Sequence, residues 1–175
     1  MRPSTEYFYI ISLEEIVWGG ILMAITMGAH GFGMIMVLRI NNFFNRKIGK
    51  RKGFGVAILP VMLASCLILL VHLSEVLIWS AFFLWKDAFP NQSVAYYYSL
   101  NAYTTLGSNL LLPINLRLLG GMLSAAGLLT FAWSTGILIT LAQKFQQRVL
   151  PDHSEKATME RLAEHSGKQS EHPGK

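Results

Sequence analysis

The chain has 175 residues, of which 52% are hydrophobic and 14% charged, whereas soluble domains carry roughly a quarter charged residues. That excludes an ordinary water-soluble domain and leaves no length for a separate soluble module beside the apolar segments. The net charge of +5 does not mark a nucleic-acid partner, which would need basic and aromatic residues clustered on a soluble surface.

Three stretches, 16–40, 57–85 and 118–141, exceed the ~20 apolar residues that span a bilayer. Residues 1–15 are expected to form an interfacial cap, with Tyr7, Phe8 and Tyr9 at headgroup level. Glu6, Glu14 and Glu15 stand where a signal peptide would be basic, and the span that follows is too long for one, so cleavage is not expected. In the first span Gly20, Ala24 and Gly28 recur every four residues. They predict a smooth helix face for close approach by another helix, which Gly31 and Gly33 continue less regularly. Beyond it lie Arg46, Lys47, Lys50, Arg51 and Lys52, with Arg39 just inside. Positive charge beside spans marks the cytoplasmic side. The N-terminus is therefore expected outside, the basic loop inside, segment 90–113 outside and the C-terminus inside. Lys144 and Arg148 agree with that orientation.

The second span opens with Pro60, placed in its first turn, where a missing N–H is tolerated. It ends at Trp79, Trp85 and Lys86, read as anchors at the outer interface. Cys66 lies within the span and implies no disulfide inside one chain. A polar turn with Pro90 follows, and Asn91 or Ser93 is expected to cap the next helix. The triplet Asn91-Gln92-Ser93 is read as that cap rather than as a glycosylation site.

Residues 95–107 read AYYYSLNAYTTLG, an aromatic helix of about ten residues running into Thr104-Thr105-Leu106-Gly107. Placed between two spans, this is the layout of a re-entrant loop, because irregular backbone at membrane depth survives only when buried in protein or lining water. Four copies around an axis would present carbonyls and a ring of hydroxyls. Gly107 tolerates left-handed backbone, and the negative end of the helix favours a cation. The third span carries Gly120, Gly121, Ala125, Ala126, Gly127, Ser134 and Gly136, a surface for close packing or for the wall of a cavity. Past Pro151, residues 154–165 are expected to form a short amphipathic helix carrying Met159 and Leu162, and 167–175 to be disordered. His153, His165 and His172 are spaced too widely for a metal site.

His30, His72 and Glu75 are the ionisable residues deep in the spans, where such groups are functional candidates by default. His72 and Glu75 are three apart and share a helix face. At ~1.5 Å per residue His30 lies ~15 Å and His72 ~22 Å from the cytoplasmic ends of their spans, close enough in depth to meet. A structural pair, or Glu75 bonded behind the short helix, is the favoured role, ahead of proton sensing. A metal site needs three or four convergent ligands, which the spacing does not supply. Catalysis has little support: Ser134 and Thr135 lack a nearby His–Asp partner in sequence, and there is no phosphate loop or HExxH.

Residues 95–105, the runs Arg117-Leu118-Leu119-Gly120 and 127–135, the pair His72-x-x-Glu75 and Trp79 together resemble the pore module of two-transmembrane potassium channels. More closely, they resemble a bacterial ion-channel family with an additional N-terminal span, over roughly residues 57–143. The resemblance implies an all-α membrane protein with three transmembrane helices and one re-entrant pore helix and filter loop. Its units are 1–56 (cap, first span, basic loop), 57–143 (pore module) and 144–175 (polar tail). It implies a homotetramer, since a closed pore needs four loops, in the bacterial inner membrane. The permeant species would be a monovalent cation such as K⁺, with no resident metal, no cofactor and no enzyme activity. The filter would be Thr104, Thr105, Leu106, Gly107, Ser108 and Asn109, with Gly127 as gating hinge and Asn101 supporting the pore helix. Where the family has Tyr-Gly-Asp, this chain reads Ser108-Asn109-Leu110, and Asn101 replaces a carboxylate. The changes remove an aromatic brace, an outer carbonyl site and an acidic mouth, so two inner carbonyl sites and weak potassium selectivity are expected. Asn109, which visits positive φ more readily than most residues, keeps the turn feasible. The alternative is a non-conducting sensor or regulatory subunit, because Leu110, Leu111 and Leu112 form an apolar mouth that would dewet.

Overall fold

The computed structural model describes residues 13–48 and 54–149. Residues 1–12 of the expected interfacial cap, basic residues 50–52, and the tail from residue 150, with its expected helix and three histidines, lie outside the described residues. Among the described residues four helices follow in order: α1 (Leu13–Ile48), α2 (Phe54–Trp85), α3 (Gln92–Tyr103) and α4 (Arg117–Val149), the last preceded by a 3₁₀ turn at Ile114–Leu116. Three segments are long and apolar enough to cross a membrane, Leu13–Lys47, Ile58–Trp85 and Ile114–Gln147. The helices overrun the predicted spans. Neither 41–48 nor 142–149 contains Gly or Pro to stop them, and Arg46 and Lys47 in the last turn of α1 favour its negative end. At 1.5 Å per residue α1 is ~54 Å long, well beyond the ~30 Å of a hydrocarbon core. Pro60 consequently falls inside α2 rather than in its first turn.

α1 and α4 run parallel to each other and antiparallel to α2. One core cluster joins Leu22, Val76, Trp79, Phe83, Tyr98 and Leu123. The other, near the basic ends, joins Met34, Val37, Ala64, Ile68 and Leu141. α3 packs between α2 and α4. Of the two expected candidates the cap is Asn91, its Oδ1 accepting from the Val94 N–H at 3.0 Å. The Tyr98 ring stands edge-on to Phe83 at 5.7 Å and tilted against Phe89 at 4.9 Å, aromatic arrangements favoured beyond area burial alone.

Two expectations about packing are corrected. Gly20 and Gly28 have open space where a side chain would project, whereas Gly19 lies against Met122 and Gly33 against Val71. The helix contacts therefore select glycines outside the four-residue stripe. Trp79 is no interfacial anchor: it is fully buried and donates its indole N–H to Thr26 Oγ1 at 2.9 Å. Trp85 is exposed and stays at the end of α2. Lys86 beside it pairs with Glu14 at 3.1 Å and lies over the rings of Trp18 and Trp85.

Glu15 is buried although it opens α1. Its Oε1 accepts the Leu118 backbone N–H at 3.0 Å, so a carboxylate on α1 caps the positive end of α4. Glu15→Ala is expected to destabilise the bundle by about 1–2 kcal/mol, seen as a lower thermal midpoint in detergent. Glu15→Gln, which keeps an acceptor, should recover part of the loss.

Candidate functional site

The end of α3 is closed by two backbone bonds, Thr105 N–H to the Ala102 carbonyl and Leu106 N–H to the Asn101 carbonyl, both 3.0 Å. This pairing is the Schellman motif, whose turning residue adopts left-handed backbone and is usually glycine. Here that residue is Thr105, at φ +61°. A β-branched side chain there is strained by about 1–3 kcal/mol. Gly107 is left-handed too, at φ +78°. Its conformation matches the sequence expectation, whereas Asn109 takes no positive φ and Thr105 carries the unforeseen one. Ser108 Oγ accepts from the Leu110 N–H at 3.1 Å, a local serine turn that shapes the outer loop where no aromatic brace exists.

Asn101 and Thr104 both bond to carbonyls of α3. Asn101 Nδ2 donates to the Tyr97 carbonyl one turn back in α3, at 2.7 Å, so it does not brace the loop from behind. Thr104 Oγ1 donates to the Leu100 carbonyl at 2.8 Å, leaving its oxygen lone pairs to accept. Leu106 and Leu111 are 79% and 73% exposed. Between the loop and the start of α4 is an open cavity of ≈ 300 Å³ lined by Thr105, Gly107, Ser108, Leu111, Arg117 and Ser124 among others.

Small residues of α4 let the end of α3 come close. A Cβ on Gly127 would overlap the Tyr103 carbonyl oxygen, an approach that only the absence of a side chain permits. Ser124 Oγ donates to the Ala102 carbonyl at 2.7 Å, satisfying a carbonyl near the end of α3.

Beside this contact lies a buried polar network drawn from all four helices. Glu75 Oε1 meets His30 Nδ1 at 2.7 Å, and its Oε2 accepts from the Tyr103 hydroxyl at 2.5 Å. The same phenol oxygen is 2.7 Å from His72 Nδ1 and 2.7 Å from Thr130 Oγ1. His72 Nε2 is 2.8 Å from Ser134 Oγ. All six residues are buried, His72 the most accessible at 5%. His30, His72 and Glu75 thus converge as their depths predicted, the two imidazoles 5.3 Å apart between centroids. Tyr103, Thr130 and Ser134 were not foreseen. A signal existed, since Gly127, Thr130 and Ser134 follow at helical spacing and form one small, polar face.

Two chemistries can be weighed on these distances. One ligand atom each from His30, His72 and Glu75 lies within 4.8 Å of the others, so the fold supplies a convergence that the spacing did not. A tetrahedral metal at ~2.0–2.1 Å from its ligands holds them about 3.3 Å apart. His30 Nδ1 and Glu75 Oε1 are 2.7 Å apart, the separation of a shared proton rather than of two metal ligands, and His72 Nδ1 stands 3.7 Å from Glu75 Oε2 with the Tyr103 hydroxyl bonded to both. The fold also gives Ser134 the histidine partner it lacks in sequence. Ser134 Oγ is sequestered between helices at 2% exposure, with the Thr130 carbonyl 2.7 Å away as a second acceptor for its hydrogen. A nucleophile needs an open approach for its substrate, and this hydroxyl has none. Comparison with protein-family models, curated proteins and solved structures gives no match.

Proposed function

We propose that the chain is one subunit of a tetrameric cation pore in a lipid bilayer. In this reading α3 and residues 104–113 form a re-entrant loop, and α4 lines the conduction path. Four loops around a cyclic axis would present the carbonyls of Thr104, Thr105, Leu106 and Gly107 to a partly dehydrated cation. The negative end of α3 would add favourable potential. The basic ends of α1 and α4 would face the cytoplasm. The resemblance of 57–143 to bacterial potassium-channel pore modules supports the same assignment.

The observation that carries this proposal is the end of α3. A short capped helix stops against the middle of two membrane-length helices, and its closing turn holds a threonine in strained backbone. Stored strain of this kind clusters at functional sites, where the surroundings over-determine it. The surroundings here are specific: Tyr103 is tied to Glu75, His72 and Thr130, and Gly127 admits its carbonyl. Glu75 thereby takes over, from α2, the supporting role that Asn101 leaves vacant. The outer loop has only the Ser108 turn in that role, which fits two inner carbonyl sites and weak discrimination of potassium from sodium.

Purified protein in liposomes tests this directly. Potassium and sodium should both cross in response to a gradient, with a permeability ratio within about tenfold, and larger organic cations should be excluded. No flux of any cation across pH and voltage would sink the proposal. It would favour a non-conducting sensor built on the same scaffold, a reading to which the exposed Leu106 and Leu111 lend some weight as a mouth that dewets. Thr105→Gly separates strain from chemistry in the same assay. It should raise the thermal midpoint, by relief of about 1 kcal/mol or more, while changing ion selectivity.

A further inference from the structure

The polar network can be counted hydrogen by hydrogen. Among the described residues its titratable groups are His30 on α1, His72 and Glu75 on α2, and Tyr103 on α3; α4 contributes the hydroxyls of Thr130 and Ser134. With both imidazoles neutral and Glu75 ionised, these residues carry five polar hydrogens, one each except for Glu75. Five side-chain contacts need them, and one assignment fills all five. The carboxylate only accepts, so His30 Nδ1–H donates to Oε1 and the Tyr103 hydroxyl donates to Oε2. The phenol oxygen has then given its hydrogen, so His72 Nδ1–H and the Thr130 hydroxyl donate to it. His72 is left with a lone pair on Nε2, to which the Ser134 hydroxyl donates. With both imidazoles neutral, every bond in the network runs toward the Glu75 carboxylate.

We propose that the network is a binding site for one further proton and that the proton is taken by Nε2 of His72, not by His30. Once protonated, Nε2–H donates to Ser134 Oγ. The serine hydrogen turns to the Thr130 carbonyl, an acceptor already in place at 2.7 Å. One hydroxyl rotation admits the proton and strands no donor. The imidazolium would hold its Nδ1 3.7 Å from Glu75 Oε2, and its ring stacks on Phe131 at 4.4 Å, a favourable cation–π placement. His30 is closer to Glu75, at 2.7 Å, but has no acceptor for a second N–H. Its Nε2 is buried without a hydrogen-bond partner, so a proton there would make a buried N–H with no acceptor, at full desolvation cost.

One consequence rests on the pore proposal. The charged His72–Ser134 bond is stronger than the neutral one and fastens α4 to α2, so acidification should reduce cation flux.

Nitrogen NMR of the full-length chain with ¹⁵N-labelled histidine, titrated from about pH 8 to about pH 4, tests the site without any flux. Both buried histidines should begin as the Nδ1–H tautomer, and His72 alone should become imidazolium while His30 stays neutral. Ser134→Ala should lower the proton affinity of His72 at least about tenfold, one pH unit, and Ser134→Thr should restore it. Protonation of His30 first, or of both together, would overturn the proposal; so would an Nε2–H tautomer on neutral His72 or an unchanged affinity in Ser134→Ala. The tautomers are read on the unmodified protein, so a poorly folding variant leaves the test intact. A His72 that titrates as described in a chain that passes no cation would keep the site and remove the pore.

Discussion

Gly127→Ala is expected to destabilise the protein by about 3 kcal/mol and to abolish cation flux. The added methyl would overlap the Tyr103 carbonyl oxygen. That neighbour is backbone, at the end of a helix tied down by three hydrogen bonds at the hydroxyl of its last residue, one donated and two accepted, so it cannot rotate aside. Either α3 withdraws from α4 and takes residues 104–107 with it, or α4 bends. Gly136→Ala is the matching control, because nothing lies within 4 Å of its Cβ position; it should change stability by less than about 0.5 kcal/mol. Thermal unfolding in detergent alongside liposome flux reads both. The pair also separates two roles for Gly127. A hinge residue replaced by alanine keeps its stability and changes its gating, whereas a spacing residue loses stability outright.

Glu75→Leu should cost about 3 kcal/mol or more. It leaves His30 Nδ1–H and the Tyr103 hydroxyl facing an apolar side chain, each buried and without its acceptor. Single hydrogen bonds between membrane helices are often worth less than about 1 kcal/mol, because the separated helices find other partners. This case differs because Glu75 is the terminus toward which the whole network donates, and removing it reorients every member. Tyr103→Phe keeps the ring packing and deletes the hub. It should be nearly as destabilising in the thermal assay and should loosen ion discrimination, since Tyr103 immediately precedes the loop. A midpoint unchanged in both variants would mean that the network contributes nothing to holding α3.

The helical skeleton was legible because bilayer-length apolar runs are a strong signal, and so were the Asn91 cap and the shared face of His72 and Glu75. Their meeting with His30 followed from depth along the spans. What escaped was set by contacts between residues far apart in the chain. Glu15 caps α4 across 103 positions, and Trp79 reaches Thr26 across 53; no local pattern announces either. The run of tyrosines in α3 does not say which ring turns inward, and the answer is Tyr98 and Tyr103, while Tyr97 is exposed. Thr105 escaped for another reason. Local propensity places glycine at a left-handed turn, so strain imposed by the surroundings is what a sequence rule cannot see. The glycines of α1 mislead in the same way, since periodicity marks a smooth face without saying which helix lies against it.

The most direct test of conduction through residues 104–107 uses one exposed position in that loop. In a Cys66→Ser background, Leu106→Cys places a thiol at a site that is 79% exposed in the single chain and would border the axis of a tetramer. Liposomes holding this variant should pass potassium, and a charged thiol reagent added to one side should stop the flux, with reduction restoring it. Flux that continues after the introduced thiol is fully modified would mean that ions take another route, and the loop would not be the pore.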